Sequence, residues 1–202
     1  MARVRANGVE LEVEVTSPTE GVPILIINGY ASQMTSWPDE FHQAFSSQAF
    51  RVIRFDNRDV GLTQKFDGII PDMRAVARAM AEGRKPDVLY TLNDMADDAA
   101  ALLDELGIAS AHIAGASMGG MIAQLVALRH PHKARSLISL MSTTSDPSLP
   151  RSDPKAQEAL MSKASSEDKD AVVEHAVKTR LVIASPGFPE DQNACLLYTS
   201  PS

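Results

Sequence analysis

Apolar and acidic residues alternate strictly near the start of the chain. Val9-Glu10-Leu11-Glu12-Val13-Glu14-Val15 has a period of two, which predicts a strand with one buried face. The Asn7-Gly8 dipeptide before it suits the positive φ angles of a type I′ turn, so an N-terminal antiparallel hairpin is expected. After the loop Ser17-Pro18-Thr19-Glu20-Gly21 the pattern changes. Ile24-Leu25-Ile26-Ile27 is continuously apolar, as a strand covered on both faces of a parallel sheet must be. The same type recurs over residues 51–55, 111–114 and 136–141.

Helical periods lie between these strands. One is expected over residues 38–46, with Asp39 and Glu40 in its first turn, and one over 93–106, with Asn93 as N-cap and Gly107 as the stop. A third runs from Met118 to about Arg129. Strand and helix in alternation argue for an α/β fold, a mostly parallel sheet flanked by helices. Residues 64–92 interrupt the alternation with Pro71, Pro86 and a helical piece over 72–82, and read as an excursion over one edge. Residues 142–154 form a Pro/Ser-rich connector, and 155–184 read as helical with no further strand.

Composition narrows the field. At 202 residues with 44% hydrophobic content, one domain-sized core is expected. The formal charge of -7 and the lack of any long Lys/Arg run argue against nucleic acid as a partner. The lone cysteine, Cys195, allows neither a disulfide framework nor a cysteine zinc site, and the five histidines lack metal-ligand spacing, so no metal and no cofactor are expected. The first residues lack the apolar region of a signal peptide and no apolar run approaches a membrane span, so a cytoplasmic location is expected.

The chemistry centres on Gly115-Ala116-Ser117-Met118-Gly119. This Gly-x-Ser-x-Gly follows an apolar strand and opens directly into a helix, the context of a nucleophile elbow. Glycines at 115 and 119 leave room for a sharp turn that exposes the Ser117 hydroxyl at a helix N-terminus, where anionic charge is stabilised. A phosphate-binding loop is excluded, because Met121 and Ile122 stand where Lys and Ser/Thr would have to be. A second site lies after the strand at 24–27, in Asn28-Gly29-Tyr30: the backbone N–H of Tyr30, joined by that of Met118, is placed to receive an oxyanion.

Three stretches carry a family resemblance: Trp37-Pro38-Asp39-Glu40-Phe41, the run from Arg51 to Thr63 that contains Asp56-Asn57-Arg58-Asp59-Val60-Gly61-Leu62-Thr63, and Gly115 to Met121. With the sheet pattern they make residues 8–145 resemble the α/β-hydrolase superfamily, most of all its aclacinomycin methylesterase and proline iminopeptidase-like group. The resemblance implies that Arg58 and Asp59 brace the loop beside the active site. It also exposes two departures: Asn28 stands where many relatives have His, and Thr63 where they have Ser.

Such a protein is expected to be a serine hydrolase acting on small-molecule carboxylic esters through an acyl-enzyme, with Ser117 as nucleophile. Iminopeptidase, lactonase and cofactor-free peroxidase chemistry use the same elbow, and a non-catalytic binding protein is the alternative of a different class. The resemblance places the triad acid and histidine beyond the cap. His130-Pro131-His132 reads as a helix end, His112 as a packed histidine and His175 as part of the cap, so the base is expected to be absent and the 202-residue chain inactive alone. The chain accordingly divides into residues 1–145, the N-terminal part of a hydrolase core truncated before its last strands, residues 146–194, a connector and the start of a helical cap, and residues 195–202, a non-native tail.

Overall fold

The computed structural model describes residues 1–16, 18–68, 71–146, 148–150, 152–185 and 187. The tail expected over residues 195–202 lies outside them. The described residues form two compact units, residues 1–34 with 39–144, and residues 35–38 with the described residues from 145 onward.

The first unit is built on six strands, β1 (Ala2–Ala6), β2 (Val9–Val15), β3 (Val22–Ile27), β4 (Phe50–Phe55), β5 (Ala111–Ala116) and β6 (Ala134–Leu140). Their order in the sheet is β1-β2-β4-β3-β5-β6. The hairpin β1–β2 turns at Asn7 and Gly8, both at positive φ (48° and 79°), as a type I′ turn requires. β2 joins β4 antiparallel, whereas β3, β4, β5 and β6 run parallel. The register sets Ile27 beside Gly115 and Ala116 beside Leu140, so the chain leaves β3, β5 and β6 from one edge of the sheet. Crevices at the carboxyl ends of parallel strands are where such folds bind ligands.

Helices α1 (Asp39–Ser46), α2 (Met73–Ala81), α3 (Leu92–Glu105) and α4 (Met118–Arg129) fill the connections. Met95, Ala96, Ala99, Leu102 and Leu103 form the buried stripe of α3, which packs against α4 and β1. Leu11, Leu25, Ile27, Ile53, Phe55 and Ile113 come from the sheet to the same core. Full burial of each such side chain contributes about 1.5–3 kcal/mol. At the far side β6 is an edge strand, and Leu137, Ile138 and Leu140 remain 38–42% exposed.

Two local expectations are corrected. The N-cap of α3 is Thr91, not Asn93: the Asp94 carboxylate accepts both the Thr91 N–H and its hydroxyl at 2.7 Å, so the side chain three residues on reaches back to the cap as in a capping box. The helical reading of 155–184 breaks into α5 (Pro154–Met161) and α6 (Lys169–Ile183). Asp168 starts the second helix by accepting from the Asp170 N–H, and Asp153 caps the first, with Pro154 in its first turn, where the missing N–H costs nothing. These two helices pack on each other in the second unit, and neither buries a residue fully. No helix among the described residues is long and apolar enough to cross a membrane.

Candidate active site

The turn from β5 into α4 is made by Ser117, which sits at φ 55° and ψ -123°. A non-glycine residue there is strained and persists only where its surroundings hold it. They do so with four bonds: the Ser117 N–H donates to Leu140 O at 3.0 Å, and its carbonyl accepts from Gly120 N at 2.9 Å, from Met121 N at 3.3 Å and from the Ser142 hydroxyl at 2.7 Å. The side chain itself is exposed.

The flanking glycines are sterically required. A Cβ on Gly115 would lie 2.1 Å from Gly119 O, and one on Gly119 would lie 2.1 Å from Ile27 O. A Cβ on Gly120 would meet Ser142 Cβ at 2.5 Å. The elbow is thus packed tightly enough against the ends of β3 and β6 to exclude even a methyl group.

The loop after β3 comes to the same place. A Cβ on Gly29 would stand 3.3 Å from Ser117 Cβ and 3.8 Å from its Oγ, so the chain at Asn28-Gly29-Tyr30 passes directly beside the hydroxyl. Tyr30 is 67% exposed at this edge. Met118 opens α4, and its N–H is one of the first-turn amides that a helix leaves without an internal partner. Neither the Tyr30 nor the Met118 amide has a protein acceptor among the described residues.

The two departures from the resembled pattern have structural roles. Asn28 is buried; its Nδ2 donates to Phe55 O and its carbonyl accepts from Asn57 Nδ2, both at 3.0 Å, tying the end of β3 to the end of β4. The Thr63 hydroxyl donates to Asp56 O at 2.7 Å and accepts from Glu12 N at 2.8 Å, bonds that a serine hydroxyl could also make. Asp56 closes the turn by accepting from Met34 N at 2.7 Å and Leu62 N at 3.3 Å.

Beside this turn, buried Arg58 donates from Nε and Nη2 to Asp98 at 2.7 and 2.6 Å. Its guanidinium lies 4.9 Å from the Tyr90 ring centroid and 5.5 Å from that of Phe66. Asp59, at φ 66°, accepts from Phe66 N at 2.7 Å and from the Tyr90 hydroxyl. Burial, then this hydrogen bond, pushes the Tyr90 phenol well above the ordinary tyrosine range. A cavity of about 490 Å³ opens between these groups and the residues Tyr30 and Met118.

No described histidine hydrogen-bonds Ser117. His130 caps the far end of α4, roughly 20 Å along the axis, and pairs with Asp97 at 2.7 Å. The Arg129 hydrogen bonds, then that of His130, hold Asp97 below the usual carboxylate range. His132 stacks edge-on against His130, His112 meets Ser136 Oγ at 2.7 Å, and His175 lies 3.5 Å from Ser162 Oγ. Sequence reasoning passed over Ser142, Tyr90 and Asp98. The available signal for Ser142 was its place just after a parallel strand, at the sheet edge where sites form.

The fold and elbow define an α/β hydrolase, and comparison with known proteins agrees. Residues 22–176 match the model of the alpha/beta hydrolase fold family, to which the chain belongs. Rhodomycin D methylesterase DauP of Streptomyces sp. (strain C5) is 31% identical over 139 residues, 66% of this chain and 41% of the relative. The chain thus spans about four tenths of the length of that curated relative. Among solved structures, a hydrolase from Pseudomonas aeruginosa PA01 superposes with a TM-score of 0.63 at 20% identity, covering 98% of this chain and 66% of that one. A carboxylesterase of Nitrososphaera gargenis gives 0.62 at 19% identity, covering 100% and 67%.

Proposed function

We propose that this protein hydrolyses small-molecule carboxylic esters, with Ser117 as the nucleophile. The observation that carries the reading is the exposed serine at positive φ, at the head of α4, with the loop at Gly29 passing beside it. Support for esters in particular comes from the likeness to a named methylesterase.

In this reading Ser117 Oγ attacks the ester carbonyl and its proton passes to a base that we assign to none of the described histidines. The carbonyl oxygen gains negative charge as its carbon becomes tetrahedral. The amides of Tyr30 and Met118 donate to it, and the N-terminus of α4 adds its partial positive charge. Collapse of the intermediate expels the alcohol and leaves an acyl-Ser117 ester, which water then hydrolyses. Residues 1–145 serve as the catalytic core, and residues 146–194 as a connector and the start of a helical cap. We place the protein in the cytoplasm.

The test is p-nitrophenyl ester hydrolysis by the protein that carries this sequence. Ser117→Ala is expected to abolish the covalent step. Tyr30→Phe should be tolerated, whereas Tyr30→Pro, which deletes the amide donor, should lower turnover ~100-fold to ~1,000-fold while circular dichroism shows a folded chain. Undiminished turnover in Ser117→Ala would overturn the assignment, and equal damage from phenylalanine and proline would move the role from the Tyr30 backbone to its side chain.

A further inference from the structure

The cavity beside Tyr30 and Met118 has a composition that selects its occupant. Its volume, about 490 Å³, falls in the usual range for small-molecule sites, about 300–1,000 Å³. Leu92, Met95, Met118 and the two tyrosines Tyr30 and Tyr90 give it an apolar and aromatic lining. Because Tyr30 and Met118 also carry the proposed oxyanion amides, a group in this cavity is attached close to the carbonyl under attack. The inference rests on the esterase reading to that extent.

The polar wall consists of Arg58, Asp59, Thr91 and the Tyr90 hydroxyl. Arg58 presents little net charge, since Asp98 neutralises it with two hydrogen bonds and the pair is buried. Asp59 is exposed and has no cationic partner among the described residues; its two bonds come from neutral donors, the Phe66 amide and the Tyr90 phenol. The Tyr90 hydroxyl has given its only proton to Asp59, so toward the cavity its oxygen can only accept. Beside the remaining N–H groups of the neutralised Arg58, the wall therefore offers the acceptors of Tyr90 and Asp59 and one uncompensated negative charge.

Those features reject an anion and favour a cation. A carboxylate or phosphate in the cavity would face the Asp59 charge with the Arg58 guanidinium already neutralised. An ammonium would gain the Asp59 carboxylate and the Tyr30 ring, since Arg58 already lies over Tyr90, while its hydrocarbon body covered Leu92 and the methionines. We propose that this cavity is a specificity subsite for an apolar substrate group bearing a protonated amine, and that Asp59 is the residue that selects it.

The experiment measures binding to the 202-residue chain, so that it does not depend on turnover. Three probes share one body and differ in the head group: phenethylammonium, 2-phenylethanol and 3-phenylpropanoate, titrated by ligand-observed NMR. The ammonium is expected to bind about tenfold or more tighter than the carboxylate, with the alcohol between them. Asp59→Asn keeps an acceptor for Phe66 N and tolerates positive φ, and should bring the ammonium and alcohol to within about threefold of each other. Tyr90→Phe leaves the Asp59 charge and frees its second oxygen, so the ammonium preference should persist or grow. Equal or tighter binding of the carboxylate, or an ammonium preference that survives in folded Asp59→Asn or vanishes in folded Tyr90→Phe, would overturn the proposal. An ammonium preference found together with no Ser117 acylation in the protein that carries this sequence and its catalytic base would count against the esterase reading alone.

Discussion

The Ser142 hydroxyl donates to the Ser117 carbonyl at 2.7 Å, bridging the chain just beyond β6 to the strained turn between β5 and α4. The Ser117 N–H donates to Leu140 O in the same connection, so both sides of the turn are held by the end of β6. Ser142→Ala should cost about 1 kcal/mol of stability, the worth of one such bond, measured by urea unfolding. It should also slow acylation of Ser117 more than it weakens substrate binding, because the carbonyl no longer fixes the elbow. An unchanged acylation rate would reduce Ser142 to a stability element.

Glycine substitutions sort by what the new Cβ meets. Gly119→Ala would press against Ile27 O at 2.1 Å and Asn28 O at 2.6 Å, and Gly115→Ala against Gly119 O at 2.1 Å; backbone cannot yield cheaply, so each should cost about 3 kcal/mol or more. Gly83→Ala meets nothing within 4 Å and bears only its positive φ of 66°, a cost of about 1–2 kcal/mol. Thermal unfolding of the three variants tests the ranking.

The Arg58–Asp98 pair is buried on both sides, with Asn7 Nδ2 donating to the same carboxylate at 2.8 Å. Arg58→Met alone strands a buried carboxylate and should cost about 3–5 kcal/mol. The double variant Arg58→Met/Asp98→Leu should recover most of that loss, because the desolvation of both charges is removed together. A double variant no more stable than the single one would show that the ion pair itself supplies the stability.

Much of this architecture was legible in the chain. The change from the alternating Val9–Val15 to the continuous run at Ile24–Ile27 separated the antiparallel hairpin from the parallel strands, because one-sided and two-sided burial impose different patterns. The elbow glycines could be read because the turn has no tolerance for a side chain. The N-cap of α3 was misplaced by two residues although Thr91-x-x-Asp94 carries the spacing of a capping box. Asp59 with Tyr90 and Ser142 with Ser117 could not be read, since partners 31 and 25 residues apart meet only through tertiary packing. The break between α5 and α6 was hidden for a related reason: neither helix buries a face deeply enough to stamp a period on the sequence.

Tyr90 makes stability fall at high pH. Burial and the Asp59 hydrogen bond raise its folded pKa above the unfolded value of 10.0, so the folded state keeps a proton that the unfolded chain gives up. Its contribution is complete below that value and is lost as the pH climbs past it. Urea midpoints measured at rising pH should therefore drop above pH ~10, and Tyr90→Phe should flatten this decline. A decline of the same steepness in the variant would place its origin elsewhere.

Trapping the acyl-enzyme tests the central assignment most directly. The protein that carries this sequence and its catalytic base is mixed with p-nitrophenyl acetate, quenched in acid during turnover, digested and analysed by mass spectrometry. We expect one acetyl group on the peptide containing Ser117, and none on any peptide of Ser117→Ala. An acetyl group on another residue, or p-nitrophenol release by Ser117→Ala at the unmodified rate, would contradict the account.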